Sequence, residues 1–99
     1  MELRIAQSAL EDLQAMQEYY REQDVPHIGD EYVTAILEHC GMLQLHPDAG
    51  RVVPEFNLDH IRELIYAPFR VVYLRQAAEV VVIRVWRSEI QLVLPDNET

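Results

Sequence analysis

Six arginines in the second half of the chain (Arg51, Arg62, Arg70, Arg75, Arg84 and Arg87) are the residues best suited to chemistry. A guanidinium carries a fixed charge and a planar fork of donors that fits a phosphate or a carboxylate. Lysine is absent from the chain. Acid–base chemistry on an anionic substrate needs a proton acceptor, cations on the charge and a proton donor. The arginines supply only the cations. Trp86 precedes Arg87, and an indole nitrogen has no basic lone pair to accept a proton; no histidine or tyrosine follows Arg87. His27, His39, His46 and His60 lie in acidic or loop stretches and read as surface groups. Glu63 stands beside Arg62, but adjacent strand residues point to opposite faces, so the two do not share a site. Cys40 falls in an apolar helical stripe and reads as core. It forms no metal set with His39 and His46, because neighbours on a helix diverge. Neither a metal nor a cofactor is expected.

These side chains are positioned by two kinds of periodicity. Residues 2–6 read as a short strand. Ser8-Ala9-Leu10-Glu11 fits a capping box, with the Ser8 hydroxyl accepting from the Glu11 N–H. Leu10, Leu13, Met16 and Tyr20 then recur at helical spacing, predicting a helix over 8–23. Pro26 suits the first turn of a second helix over about 26–45, ended by Pro47. Together these form a helical hairpin. Beyond it the pattern turns to strands at 51–53, 60–66, 70–75 and 79–87. The reading is one α+β domain over 1–99 with a polar tail at about 95–99: an N-terminal strand, then an antiparallel two-helix hairpin packed on one face of a small antiparallel sheet.

With three-residue turns at 67–69 and 76–78, Ile61, Ile65, Val71, Tyr73, Val81, Ile83 and Val85 share the face toward the helices. The opposite face then carries Arg62, Leu64, Tyr66, Arg70, Val72, Leu74, Val80, Val82, Arg84 and Trp86. Two helices cover one side of a sheet, so that second face is expected to expose an apolar patch studded with arginine, the character of a binding surface. The candidate binding residues are Arg62, Leu64, Arg70, Val72, Val82, Arg84, Trp86 and Arg87.

Composition narrows the function classes. Hydrophobic residues make up 49% and charged residues 25%, values of a globular chain and not a disordered one. The single cysteine excludes an internal disulfide. No apolar run reaches the length of a membrane span, and no signal-peptide pattern opens the chain, so a cytoplasmic protein without membrane contact is expected. Net charge is −9, distributed unevenly: residues 1–50 hold two basic against ten acidic side chains, whereas residues 51–87 carry an excess of arginine. An acidic surface opposes nucleic-acid binding. The arginine-rich half leaves room for a local anion-binding surface.

Five segments in order carry a resemblance. They are Ile5-Ala6-x-x-Ala9-x-x-Asp12-Leu13 with Tyr19 and Tyr20 downstream; Pro47-x-x-Gly50-Arg51-x-Val53; Ile61-Arg62-Glu63-Leu64; Phe69-Arg70-Val71-Val72-Tyr73; and Val82-Ile83-Arg84-Val85-Trp86-Arg87. As a set they resemble the RelE/ParE superfamily of type II toxin–antitoxin toxins over nearly the whole chain. The resemblance implies a toxin held in a hetero-oligomer with a cognate antitoxin, a small ribbon–helix–helix or similar DNA-binding protein. Its ParE-like branch implies inhibition of DNA gyrase by direct binding. Its RelE-like branch implies a ribosome-dependent mRNA endonuclease, for which Arg62, Arg70 and Arg87 would be the catalytic set. A degenerate toxin that only binds antitoxin is the third reading. Trp86, where a histidine is often found, and the missing lysines favour the ParE-like, non-nuclease branch.

Overall fold

The computed structural model describes residues 1–88; the polar tail expected at 95–99 lies outside the described residues. The chain opens with β1 (Glu2–Ile5), then α1 (Gln7–Glu22) and α2 (Pro26–Gly41), the latter tightening into a 3-10 turn at Met42–Gln44. Four strands follow: β2 (Arg51–Val52), β3 (Ile61–Tyr66), β4 (Phe69–Arg75) and β5 (Glu79–Arg87).

Local chemistry explains the helices. α1 contains no glycine, proline or β-branched residue, so propensity and periodicity agree. Its buried side is Ala9, Leu13 and Met16. The capping box does not form: the residue before α1 is Ala6, with no side-chain cap, and the Ser8 hydroxyl instead donates to the Ile83 carbonyl at 2.5 Å. Asp24 takes φ 65°, a left-handed conformation that Asp tolerates, and the chain reverses into Pro26 at the head of α2. The hairpin is tight at Gly29, where a Cβ would lie 3.1 Å from the Tyr20 Cβ.

The sheet order is β1-β5-β4-β3-β2. β1 joins at the edge beside β5 and, against the antiparallel sheet expected, runs parallel to it, with Glu2 opposite Glu79. The sheet is therefore mixed. The two helices form the crossover that a parallel neighbour requires. Both helices pack on one face, where Leu13, Ile36, Cys40 and Leu43 meet Phe69, Val71, Tyr73, Val80, Val82 and Val85. Each such side chain taken out of water contributes about 1.5–3 kcal/mol.

Two features change which residues share a face. The β3–β4 turn holds only Ala67 and Pro68, with Tyr66 opposite Phe69. That one-residue difference inverts β3: Leu64 and Tyr66 pack toward the helices, while Ile61 packs on the other side. A register shift opposite Val72 and Tyr73 inserts an extra residue in β5. Val80, Val82 and Val85 consequently face the helices, and Ile83 does not. Bulges of this kind leave no mark in an unbroken β-branched run.

The second face is not left open to water. Residues 53–60 cross it as a strap. Val53 donates its N–H to the Ile61 carbonyl at 3.1 Å, and Val53 and Phe56 lie against Val72, Ile61, Ile83 and Trp86. Val72 is 1% exposed. The expected exposed arginine-studded patch is thus corrected: a loop covers most of it, and its arginines are engaged within the chain.

Candidate functional site

Each arginine singled out by sequence has its own surroundings. Arg70 is buried beneath the strap. Its Nε donates to Glu63 at 2.6 Å, and its two terminal nitrogens form a fork on Glu55 at 2.8 and 2.9 Å. Arg51 donates to the second oxygen of Glu63 at 2.7 Å. The Arg70 fork holds the Glu55 carboxyl below its usual range. Arg62 lies on the helix side, opposite Tyr73. It donates to the Asp59 and Gly50 carbonyls, both at 3.0 Å. Arg84 forms a two-bond pair with Asp12 of α1 at 2.8 and 2.9 Å. Arg87 lies over the Phe69 ring at 5.6 Å and donates to the Tyr20 hydroxyl at 3.3 Å.

Arg62, Arg70 and Arg87 are therefore not brought to one place. Arg62 and Arg70 occupy opposite faces. Arg62 and Arg87 pair with Tyr73 and Phe69, four residues and roughly 13 Å apart along β4. Of the apolar candidates, Val72 and Val82 are each 1% exposed and Leu64 is half-buried in the core. His27, His39, His46 and His60 are all exposed. Cys40 is core as expected, its thiol pushed up to about 11 by burial.

Arg84, Trp86 and Arg87 do converge, at the free end of β5. β1 pairs with β5 only as far as Val82. Beyond that point α1 seals the edge. The Ala6 N–H reaches the Val82 carbonyl at 2.8 Å, Ser8 takes the Ile83 carbonyl, and Asp12 accepts the Val85 N–H at 2.8 Å. Further along, α1 and β5 diverge and leave a groove of about 250 Å³. Ala15, Met16 and Tyr19 form one wall, Val85 and Trp86 the other, with Tyr20 and Phe69 behind and Asp12 and Arg87 on the lining. Tyr19 is 52% exposed and meets Tyr20 edge-on at 5.0 Å; Tyr20, Tyr32 and Phe69 continue the aromatic series inward. Such a concave, aromatic surface beside arginine has the make-up of a binding hot spot.

The sequence pointed to Trp86, Arg84 and Arg87, placed Met16 in the apolar stripe of the first helix, and assigned no binding role to Asp12, Ala15 or Tyr19. A signal was present. Asp12, Ala15, Met16 and Tyr19 recur at helical spacing beside the core stripe, and Asp12 is an acid next to apolar positions. Its partner lies 72 residues away, so the meaning of that spacing waited for the fold.

Fold and site together describe a small α+β domain with helices on one face of a mixed sheet and an aromatic groove at the sheet's end. The family model for the ParE toxin of the parDE type II toxin–antitoxin system matches residues 3–92, and the chain belongs to that family. A solved structure described as a chromosomal ParDE TA system from P. aeruginosa superposes with a TM-score of 0.74 at 25% identity, covering 88% of this chain and 95% of that one. No curated protein sequence matches. A toxin of such a system has an antitoxin for a partner. No helix among the described residues is long and apolar enough to cross a membrane.

Proposed function

We propose that the protein is a ParE-like toxin that acts by binding and not by cleavage: it inhibits DNA gyrase in the cytoplasm by direct contact. Its cognate antitoxin, a small ribbon–helix–helix or similar DNA-binding protein, neutralises it by laying an apolar segment in the α1–β5 groove. The observation that carries this reading is the commitment of the arginines. Arg51, Arg70, Arg75 and Arg84 each meet a carboxylate of the same chain, and Arg62 is held by backbone carbonyls. Cations already paired do not gather on a scissile phosphate. The groove, by contrast, offers apolar and aromatic surface to a partner.

The test is expression without the antitoxin, followed by two assays on the purified protein. DNA supercoiling by gyrase should be inhibited, and mRNA on translating ribosomes should stay intact. Trp86→Ala should weaken antitoxin binding at least tenfold, about 1.4 kcal/mol. Codon-specific cleavage by the wild type but not by Arg62→Ala would replace this reading with the endonuclease one. Silence in both assays with antitoxin binding retained would leave a protein that only binds its antitoxin.

A further inference from the structure

Arg84 and Trp86 start from the face of β5 that lies away from the helices, opposite Val72 and Arg70 on β4. Asp12 belongs to the helical layer. Arg84 bridges the two by passing round the β5 edge that β1 leaves open. Its Nε and one terminal nitrogen form the fork on Asp12. The face of that same planar guanidinium lies over the Trp86 ring, 4.5 Å from the centroid. The same Asp12 carboxylate oxygen that receives Nε also accepts the Val85 N–H, so the carboxylate fixes the backbone just before Trp86 as well as the cation on top of it. Below, the indole rests against Val53 and Val72.

A side chain forming a groove wall ordinarily has rotamers to lose when a partner arrives, and immobilising it subtracts from affinity. Here the wall is immobilised before any partner arrives. We infer that Asp12 and Arg84 are positioning residues for the groove: they hold Trp86 as a fixed wall, and they act on partner binding through it and not by contact. The consequence for binding rests on the groove reading given above. The positioning itself does not.

The chain contains a single tryptophan, so its fluorescence reports this wall alone. The experiment compares wild type, Asp12→Asn, Arg84→Lys and, as a control at an exposed position near the far end of α1, Glu22→Gln. Arg84→Lys keeps the charge on Asp12 but has no planar group to lay on the indole. It therefore serves if Asp12→Asn fails to fold, and circular dichroism checks each variant. Time-resolved anisotropy of Trp86 should show only whole-molecule tumbling in the wild type and in Glu22→Gln. A fast local component and greater acrylamide quenching should appear in Asp12→Asn and Arg84→Lys. An indole as immobile in folded Asp12→Asn or Arg84→Lys as in the wild type overturns the assignment. Titration with the purified antitoxin encoded beside the toxin separates the two layers. At least tenfold weaker binding by the loosened variants supports both. A loosened Trp86 with unchanged antitoxin affinity supports the positioning and removes the groove from the antitoxin's path.

Discussion

Arg70 divides its guanidinium between Glu63 and Glu55, and that division governs what its replacement does. Glu63 is 1% exposed. Arg70→Leu strips it of one of its two cations and takes from Glu55 the guanidinium that forks it. Breaking a buried pair by removing one partner costs about 3–5 kcal/mol, and urea denaturation should show a loss of that size. Charge reversal at Arg70 should be worse still, so any fall in antitoxin binding by that variant must be read beside its unfolding curve. Tyr73 offers a second test. Its hydroxyl donates to the Pro47 carbonyl and accepts the Gly50 N–H, both at 2.9 Å, in a place where a Cβ on Gly50 would lie 2.7 Å from that oxygen. Tyr73→Phe leaves two buried groups unpaired, and thermal unfolding should register about 1–3 kcal/mol. Both side chains were legible in sequence as strand residues. Their partners were not: Glu55 and Pro47 sit in loops without periodicity, and only the folded path of those loops brings them near.

Among the elements, the strap over 53–60 has the least secondary structure and the most to hold down. Phe56 and Val53 supply its apolar anchors, and Glu55 its ionic one. The Glu55 carboxyl titrates below its usual 4.5, chiefly through the hydrogen bonds from Arg70. A depressed folded-state value means that the bond stabilises the fold above the unfolded-state value and that this stability is lost as pH falls through the lowered one. The melting temperature should therefore be flat near neutrality and decline as pH drops below about 4.5. Glu55→Gln should lower the neutral plateau and flatten that acid limb; an unaltered limb would assign it to other carboxylates. The existence and order of the elements were largely readable, because hydrophobic period and proline positions are local. The faces were not, because a two-residue turn and one bulged residue decide them. That is why the second face expected to lie open is largely covered, with Trp86 and Arg87 lining the groove, Arg84 stacked on Trp86, and Val72 and Val82 in the interior.

At the scale of the whole molecule, the charge of −9 opposes approach to any target carrying DNA. Salt weakens such long-range repulsion. Association with a gyrase–DNA complex, followed by stopped-flow fluorescence, should accelerate as salt rises from low concentration, the reverse of a basic protein; a rate that falls with salt would mean that a local positive surface guides the encounter. The seal between α1 and the end of β5 has a consequence of another kind, in time. Glu2 pairs with Glu79 and Asp12 with Arg84, so the beginning of the chain waits for the last strand before its first strand and helix can settle. The α1 wall of the groove is synthesised well before the β5 wall it faces: Asp12 and its partner Arg84 are 72 positions apart. A nascent chain halted before β5 lacks one wall of the groove, because Val85, Trp86 and Arg87 all come from that strand. On the reading proposed above, what the antitoxin meets is therefore a property of the folded toxin and not of its helical half.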